Sequence, residues 1–517
     1  MKVHLMYRDQ DFDAKARAPR HTETLVQDLE LATLIGAMAE GDPFLAQVGG
    51  SALLASLADP EAILYRQGVL QDCLAHEEVV RGIYQLALET IEAERKNYLG
   101  SVLRQPGWVL HRSVEVLQMF VARLRRLRSI AEENLTEFSS EGFRTLFAML
   151  IDELSDDYFE RIRIHLKRLR FDHGVLISAR LGEGARGEDY VLRKPNTPEG
   201  GWIDRILAPI DHVFAPGAPS YSFTLAARDE NGARALSDLR DQGINLVANA
   251  LGQSTDHVLS FFTMLRTELA FYVGCLNLHA RLRHQGEPAC LPRPFGLDQR
   301  NHEANELYDV CLALTMGRDV IGNPIRANGK SLVIITGANQ GGKSTFLRSI
   351  GLAQLMMQCG MFVGAETFAA NVCDRIFTHY KREEDKEMSS GKFDEELSRM
   401  SDIIDQIAPN SLVLFNESFS STNEREGSEI ARQVVAALLD SRMKLFFVSH
   451  QYEFAHAFEN GGRGDVLFLR AERQEGGART FHIAEARPEP TSHGEDLYRQ
   501  IFLGEPPSRR EEVRAHV

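Results

Sequence analysis

The chain has 517 residues, 44% of them hydrophobic and 25% charged, the balance of a soluble globular protein with sequence for roughly three domains of about 150 residues. That composition excludes disorder or a fibrous repeat as the main state. Lys and Arg total 58 against 73 Asp and Glu, a net charge of −15, so any contact with a polyanion has to come from local basic patches.

The first 20 residues, MKVHLMYRDQDFDAKARAPR, carry charges where a secretory signal needs an apolar stretch. Residues 1–25 read as an N-terminal extension. No run approaches the roughly 18 consecutive apolar residues of a spanning helix, so no membrane is expected. The six cysteines (Cys73, Cys275, Cys290, Cys311, Cys359, Cys373) are scattered without a CxxC pair. They read as reduced thiols of a cytoplasmic protein rather than as a zinc site or a disulfide framework.

From Glu23 to about Arg170 apolar residues recur at three- and four-residue intervals with few prolines or glycines, which predicts helices over 26–170. Two basic stretches lie here, Arg123–Arg128 and Arg161–Arg170. On a helix Arg161, His165 and Arg168 share one face, with Arg163 and Lys167 beside them. Such a run is either a phosphate-binding surface or a solvated, salt-bridged helix face. Between Gly174 and Ala227 the texture changes. Val175–Leu181, Tyr190–Arg193 and Tyr221–Ala227 read as short strands with Gly- and Pro-rich connections, a small β-bearing insertion over 171–230. Helix returns over 231–290, where Val258, Phe262, Leu265, Leu269, Tyr272 and Leu276 step at helical intervals. Over 291–503 buried-strand candidates Ser331–Thr336, Ser411–Phe415 and Lys444–Ser449 alternate with helices, which predicts a mostly parallel sheet covered by helices. Residues 504–517 form a tail, and the acidic run Glu383–Glu387 reads as a surface loop.

The strongest chemical signal is Gly337-Ala-Asn-Gln-Gly-Gly-Lys-Ser344, a full G-x-x-x-x-G-K-[ST] phosphate loop between a strand and a helix. Gly337, Gly341 and Gly342 let backbone N–H groups close around phosphates. Lys343 reaches the β- and γ-phosphates, and the Ser344 hydroxyl can ligate Mg²⁺. ATP with Mg²⁺ is the expected cofactor. A second element, Leu412–Ser418 (LVLFNES), ends a strand in Asn416-Glu417. This position commonly carries an Asp that holds the metal shell, followed by a Glu that polarises the attacking water. Here Glu417 can act as the base, while Asn416 brings a neutral amide to the metal position. His450, just past the third strand, lies on the ligand side of a parallel sheet, where it can sense a γ-phosphate.

These motifs carry a resemblance. TGANQGGKSTFLRSIGLAQLMMQCGMFVGAE, DRIFTHY, LVLFNES with the following SSTNEREG, and SHQYE around His450 resemble the ATPase region of the MutS family of DNA mismatch-repair ATPases. Upstream, Pro60–Asp72 and Glu268–Leu282 are similar to that family's helical core and lever. The resemblance implies a multi-domain chain: a long α-helical core and lever with a small, reduced clamp-like β-bearing insertion, then an α/β P-loop ATPase domain of the ABC type. It also places Asn339 and Thr345 in the phosphate loop and Ile321 and Asn323 near the nucleotide base. Phe393 and Glu396 fall in the motif between the two ATP motifs, and Ser420, Ser421 and Thr422 in a loop facing a second subunit's nucleotide. A homodimer acting on duplex or branched DNA follows as the expected assembly and partner, with Arg161, Arg163, Lys167 and Arg168 as candidate DNA contacts.

The sequence departs from the family pattern at three places. Asn416 stands for the usual Asp, so slow hydrolysis is expected, or an ATP-gated binding module that hardly turns over. Gly391-Lys392 stands for a Ser/Thr pair. The helical region starts near Leu25, so mismatch-reading and connector domains are expected to be absent, and specific mismatch recognition with them.

Overall fold

The computed structural model describes residues 1–16, 22–96, 105–171, 174–185, 187–193, 230–382, 391–473 and 479–489. The strand expected at Tyr221–Ala227, the acidic run Glu383–Glu387 and the tail 504–517 lie outside the described residues. Eight helices open the chain: α1 (Thr22–Asp28), α2 (Leu31–Ala39), α3 (Pro43–Ala55), α4 (Pro60–Ala75), α5 (Glu77–Lys96), α6 (Pro106–Asn134), α7 (Glu141–Glu153) and α8 (Asp156–Arg168). Local chemistry starts several of them. Asp42 and Asp59 each accept N–H bonds from the first turn and precede a proline at the first helical position, while the Ser155 side chain caps α8.

The chain divides into two compact units. The first takes Met1, Gln85–Leu135 and Phe147–Leu265. Its core joins Leu110 and Val114 of α6 to Leu166 of α8, and to Ile244 and Ala248 of the 55-residue helix α9 (Glu230–His284). The insertion is an antiparallel hairpin, β1 (Leu176–Leu181) and β2 (Gly187–Arg193), registered from Leu176↔Arg193 to Leu181↔Gly187. By length and composition alone the Arg234–His284 part of α9 is apolar enough to cross a membrane, although its apolar residues are interrupted by polar ones. Its most apolar window is 72% buried within the fold, as expected of a core helix.

The second unit takes Lys2–Tyr84, Thr136–Leu146 and the chain from Arg266 onward. Residues 2–84 therefore group with the α/β domain, which cuts across the boundaries read from the sequence at 25/26 and 290/291. Two sheets form here. One has the order β12-β11-β6-β10-β9-β8: β6 (Leu332–Thr336), β8 (Ile376–Tyr380), β9 (Leu412–Asn416), β10 (Lys444–Val448) and β11 (Val466–Arg473) run parallel. The edge strand β12 (Arg479–Glu485) is antiparallel to β11. The other is mixed, in the order β3-β7-β4-β5: β3 (Arg293–Phe295), β4 (His302–Leu307), β5 (Asn323–Arg326) and β7 (Thr367–Asn371), with the short helix α10 (Val310–Met316) between β4 and β5. Helix α11 (Lys343–Gln358) packs against β9 and β10 of the first sheet and β3 and β4 of the second. The opposite face of the first sheet is covered by α12 (Lys392–Ile404), α13 (Glu424–Asp440) and α14 (Tyr452–Asn460), whose Met400, Val435 and Phe454 meet Val413, Phe415 and Phe447.

The N-terminal segment is held to this unit by buried polar groups. The Glu268 carboxylate accepts N–H bonds from Leu5 (2.6 Å), Met6 (3.1 Å) and Phe12 (3.0 Å), and the Tyr272 hydroxyl donates to Leu5 O at 2.6 Å. Arg66, fully buried, donates to Met6 O at 3.2 Å and to Cys359 O at 3.0 Å. Burial pushes the Glu268 carboxyl up from an ordinary 4.5 to about 7, against the pull of its three N–H donors. Since the native value lies above the unfolded one, stability from this group is whole below about pH 4.5 and is lost as pH rises through about 7. Glu268→Gln carries no titrating proton, so it should gain stability relative to the parent between pH 5 and 8. Urea midpoints at both pH values measure this, and an equal gap at the two values would count against the titration. Glu268→Ala orphans three buried N–H groups and should cost about 3 kcal/mol or more, at about 1–3 kcal/mol for each.

Candidate functional site

The phosphate loop leaves β6 in the interior of the parallel sheet and turns into α11. Gly337, Gln340 and Gly342 sit in the left-handed region, with φ of 113°, 61° and 91°. A Cβ at Gly341 would come within 2.9 Å of the Ala471 methyl and 3.0 Å of Ala338 O, so the loop closes only on glycine there. Lys343 is 4% exposed, and its Nζ donates to Gly337 O at 2.9 Å and Ala338 O at 3.0 Å, which anchors the ammonium inside the loop. Burial lowers its pKa, and the Glu417 carboxylate opposes the shift. Asn339 and Ser344 are exposed and Thr345 is half-buried.

Asn416 ends β9 in register with Val448 of β10 and Tyr380 of β8. The Ser344 hydroxyl donates to Asn416 Oδ1 at 2.9 Å, so the two residues read as metal ligands are brought together. Glu417 follows in a left-handed conformation (φ 54°), with its N–H donated to Val448 O at 2.9 Å. That turn leaves its carboxylate 3.9 Å from His450 Nδ1. Lys343, Ser344, Asn416, Glu417 and His450 thus gather at the C-terminal ends of β6, β9 and β10, the ligand-binding edge of a parallel sheet.

The loop after Glu417 is held by contacts the sequence did not disclose. Ser420 Oγ donates to Glu417 O (2.7 Å), Ser421 Oγ to Glu396 Oε1 (3.1 Å) and Thr422 Oγ1 to Glu426 Oε2 (2.7 Å). Asn423 caps α13 by accepting the Glu426 N–H. Behind the loop, the buried His379 ring meets Ser418 Oγ at 2.8 Å and Glu396 O at 3.0 Å and stacks on Phe419. Burial, and then Arg399, push its pKa down to about 4, so it is a neutral structural ring at pH 7. Gln451, beside His450, donates to Phe419 O at 3.2 Å. Of the residues expected near the base, Ile321 is 44% exposed. Asn323 spends its amide on the edge strand: Nδ2 donates to Phe481 O at 3.1 Å and Oδ1 accepts the Ile483 N–H at 2.7 Å. That side chain joins β5 to β12 and is committed to structure.

Several arginines of the basic stretches in the first unit are paired locally. On α8, Arg161 bonds Asp157 one turn earlier and Arg163 bonds Glu160. The helix carries four Lys/Arg against three Asp/Glu. Arg128 bonds Glu132 and Asp156, Arg123 bonds Glu89, and Arg125 lies over the Phe159 ring. The i, i+3 and i, i+4 carboxylates make α8 a salt-bridged face, the plainer of the two readings. Arg161 and Arg163 nevertheless remain 71% and 60% exposed, and exposed pairs of this kind are screened by solvent and hold their partners weakly.

The residues fit a nucleotide's phosphates with Mg²⁺. The loop is a cradle that a Cβ at Gly341 would fill, with a buried lysine inside it and two neutral oxygens, Ser344 Oγ and Asn416 Oδ1, at its edge. A family model for the MutS2 N-terminal domain matches residues 58–285, and one for MutS domain V matches 333–503. The chain is 27% identical to MutS protein homolog 4 of Mus musculus over 256 residues, 49% of this chain and 25% of the relative. It is 32% identical to the DNA mismatch repair protein MutS of Chloroflexus aurantiacus (38% of this chain, 22% of the relative) and 33% identical to that of Porphyromonas gingivalis (31% and 19%). The matched segments therefore span about a quarter or less of these relatives' own length.

At Gly427 the helix backbone lies close against the Phe419 carbonyl, at the start of the Ser420–Thr422 loop. A Cβ there would collide with Phe419 O and come 2.8 Å from Gln451 Nε2. Alanine gains up to about 1 kcal/mol of helix propensity over glycine, but overpacking costs about 1–3 kcal/mol. Gly427→Ala should therefore destabilise the protein, read as a lower thermal midpoint. A midpoint that rises would show that the loop yields freely.

Proposed function

The chain belongs to the MutS family, and on that footing we propose that it is an ATP-binding, slowly hydrolysing protein that acts as a homodimer on DNA structures in repair or recombination. The observation that carries this reading is the Ser344–Asn416 contact beside an intact glycine cradle, with Glu417 next in the chain.

Donating its proton to Asn416 leaves the Ser344 oxygen's lone pairs directed away from that bond, as a metal ligand requires. Bound Mg²⁺ would neutralise charge on the β- and γ-phosphate oxygens. Lys343 adds a fixed positive charge within the loop, and the loop's N–H groups together with the α11 N-terminus favour anionic oxygens. Glu417, held at the strand end by its own N–H bond to Val448 O, orients and deprotonates the attacking water. His450, 3.9 Å from that carboxylate, senses the γ-phosphate. Asn416 contributes an amide oxygen without charge, so turnover is slow. In the second reading the protein is an ATP-gated binding module with almost no hydrolysis, and Asn416 is what favours it.

The Ser420–Thr422 loop is taken to meet the nucleotide of a second copy, two-fold closure being the commonest symmetry. The DNA surface is assigned to α8. Exchanging its weak carboxylate pairs for phosphates costs little, so Arg161, Arg163, Lys167 and Arg168 can engage a backbone without reading bases. Six free cysteines, five of them buried, suit a reducing cytoplasm.

Lys343→Ala should abolish nucleotide binding in equilibrium titration. Asn416→Asp should raise steady-state turnover, and Glu417→Gln should remove it. A fall on Asn416→Asp would mean that the site is built around the amide. For DNA, Asp157→Asn with Glu160→Gln unmasks two arginines, so affinity should rise. The slope of log affinity against log salt should steepen by up to about 2, at about 0.9 per phosphate neutralised. Unchanged binding would remove α8 from the DNA surface.

A further inference from the structure

Next to Ser344 and Asn416 the second unit holds a cavity of about 530 Å³, and part of its wall is N-terminal: Gln27, Asp28 and Glu30. Asp28 closes α1, and its side chain is 6% exposed. Its Oδ1 lies 3.9 Å from Arg382 Nη2, the Thr378 hydroxyl and the Arg399 guanidinium also face it, and Oδ2 makes no hydrogen bond of good geometry among the described residues. Tyr380 lines the same cavity; it is 9% exposed, and its hydroxyl has no hydrogen-bond partner among the described residues either. Tyr380 is also the register neighbour of Asn416 on the sheet. Arg348, one turn beyond Ser344 on α11, is paired with Glu30 and Asp309, so its charge is already matched. Two buried oxygens without a hydrogen bond among the described residues, Asp28 Oδ2 and the Tyr380 hydroxyl, thus share a cavity with the metal-side residues of the phosphate loop. Arg382 and Arg399 balance the charge of Asp28 without bonding Oδ2, and a buried acceptor of this kind calls for ordered water.

Mg²⁺ keeps several of its waters and takes only one or two protein ligands. Those waters need acceptors, and Asn416, whose Oδ1 already accepts from Ser344, offers few. We propose that Asp28 supplies the outer-shell carboxylate for the metal that Asn416 does not supply, bonded through water held in this cavity, so that docking of α1 sets how tightly the metal–nucleotide complex is held. This role rests on the nucleotide reading above. It makes Asp28 a positioning residue carried by the N-terminal segment, some 300 residues from the phosphate loop in sequence.

The test titrates a fluorescent ATP analogue against the full chain across a Mg²⁺ series and in EDTA. In Asp28→Asn the half-saturating Mg²⁺ concentration should rise about 10–100-fold, the range for loss of an outer-shell partner, with the EDTA affinity unchanged. Adding Asn416→Asp to Asp28→Asn should bring the midpoint back, which repair of a merely dislodged helix would not do. An unchanged midpoint in Asp28→Asn overturns the role of Asp28, and so does a raised midpoint that Asn416→Asp fails to restore. If the parent protein binds no nucleotide, the nucleotide reading fails first and the role of Asp28 with it.

Discussion

The burial of α11 governs the rest of the second unit. From Ser349 to Gln358 every residue of this helix is buried, so that stretch has no solvent face and must be met by partners on all sides. The two sheets supply two of them and the N-terminal helices another. The packing is closest at Gly351, where a Cβ would lie 2.7 Å from Leu414 of β9 and 2.8 Å from Leu29. Two buried glutamines fix the helix's rotation. Gln354 donates to Asn371 O, and Gln358 bonds both the N–H and the C=O of Cys373 and reaches Leu57 O. Buried amides tolerate no slippage, because each lost bond leaves an orphan. A helix held this way delivers Lys343 and Ser344 to one place relative to Asn416, which is what phosphate chemistry asks of it.

The same constraint explains why residues 2–84 belong with the α/β domain. A helix that needs cover on every side recruits whatever segment can provide it, and α3 and Leu29 do so. That segment is in turn fixed by charges with no solvent, Glu268 on three N–H groups and Arg66 on two carbonyls. Lys444 serves β10 in the same manner. Fully buried, it donates to Asn371 Oδ1, Asn301 O and His302 Nδ1 and so joins the two sheets, with its pKa lowered to about 8 by burial. Charges placed this deep bring little net stability, but breaking one partner of such a set is costly, so they act chiefly to specify the arrangement.

What was legible in the sequence follows from how local its cause is. The strands β6, β9 and β10 are short apolar runs buried on both faces, and their observed bounds fall within a residue of those read from composition. The helical stretches were visible too, and the hairpin in part: its second strand, read as Tyr190–Arg193, begins at Gly187, inside the Gly-rich stretch read as its connection. The mixed sheet was not: HEANEL and TFAAN carry polar residues and are strands only because they pair with each other and with β3 and β5. In the site, Lys343, Ser344, Asn416 and Glu417 announce themselves by type and spacing. Gly427, Gln451 and His379 do not, since each acts through the Ser418–Phe419 turn at a distance no window spans. The arginines of α8 were conspicuous, yet the partners Asp157 and Glu160 stand three and four residues away, a spacing that already favoured the paired face.

Asn416 is where chemistry and architecture meet. An Asp there would present two anionic oxygens, with lone pairs to spare after accepting the Ser344 proton. The amide presents one neutral acceptor oxygen and an NH₂ that can only donate. Relative to the carboxylate it therefore removes a charge from beside the metal position and also turns an acceptor into a donor. The strand register does not depend on the difference, since β8, β9 and β10 pair through backbone groups around it. Nor does the Ser344 contact, which the amide oxygen satisfies at 2.9 Å. The fold accepts either residue, so the choice is expressed only in the electrostatics of the site. On the nucleotide reading, the negative charge that the protein itself can bring to the site then lies on Glu417 and, on the proposal above, on Asp28.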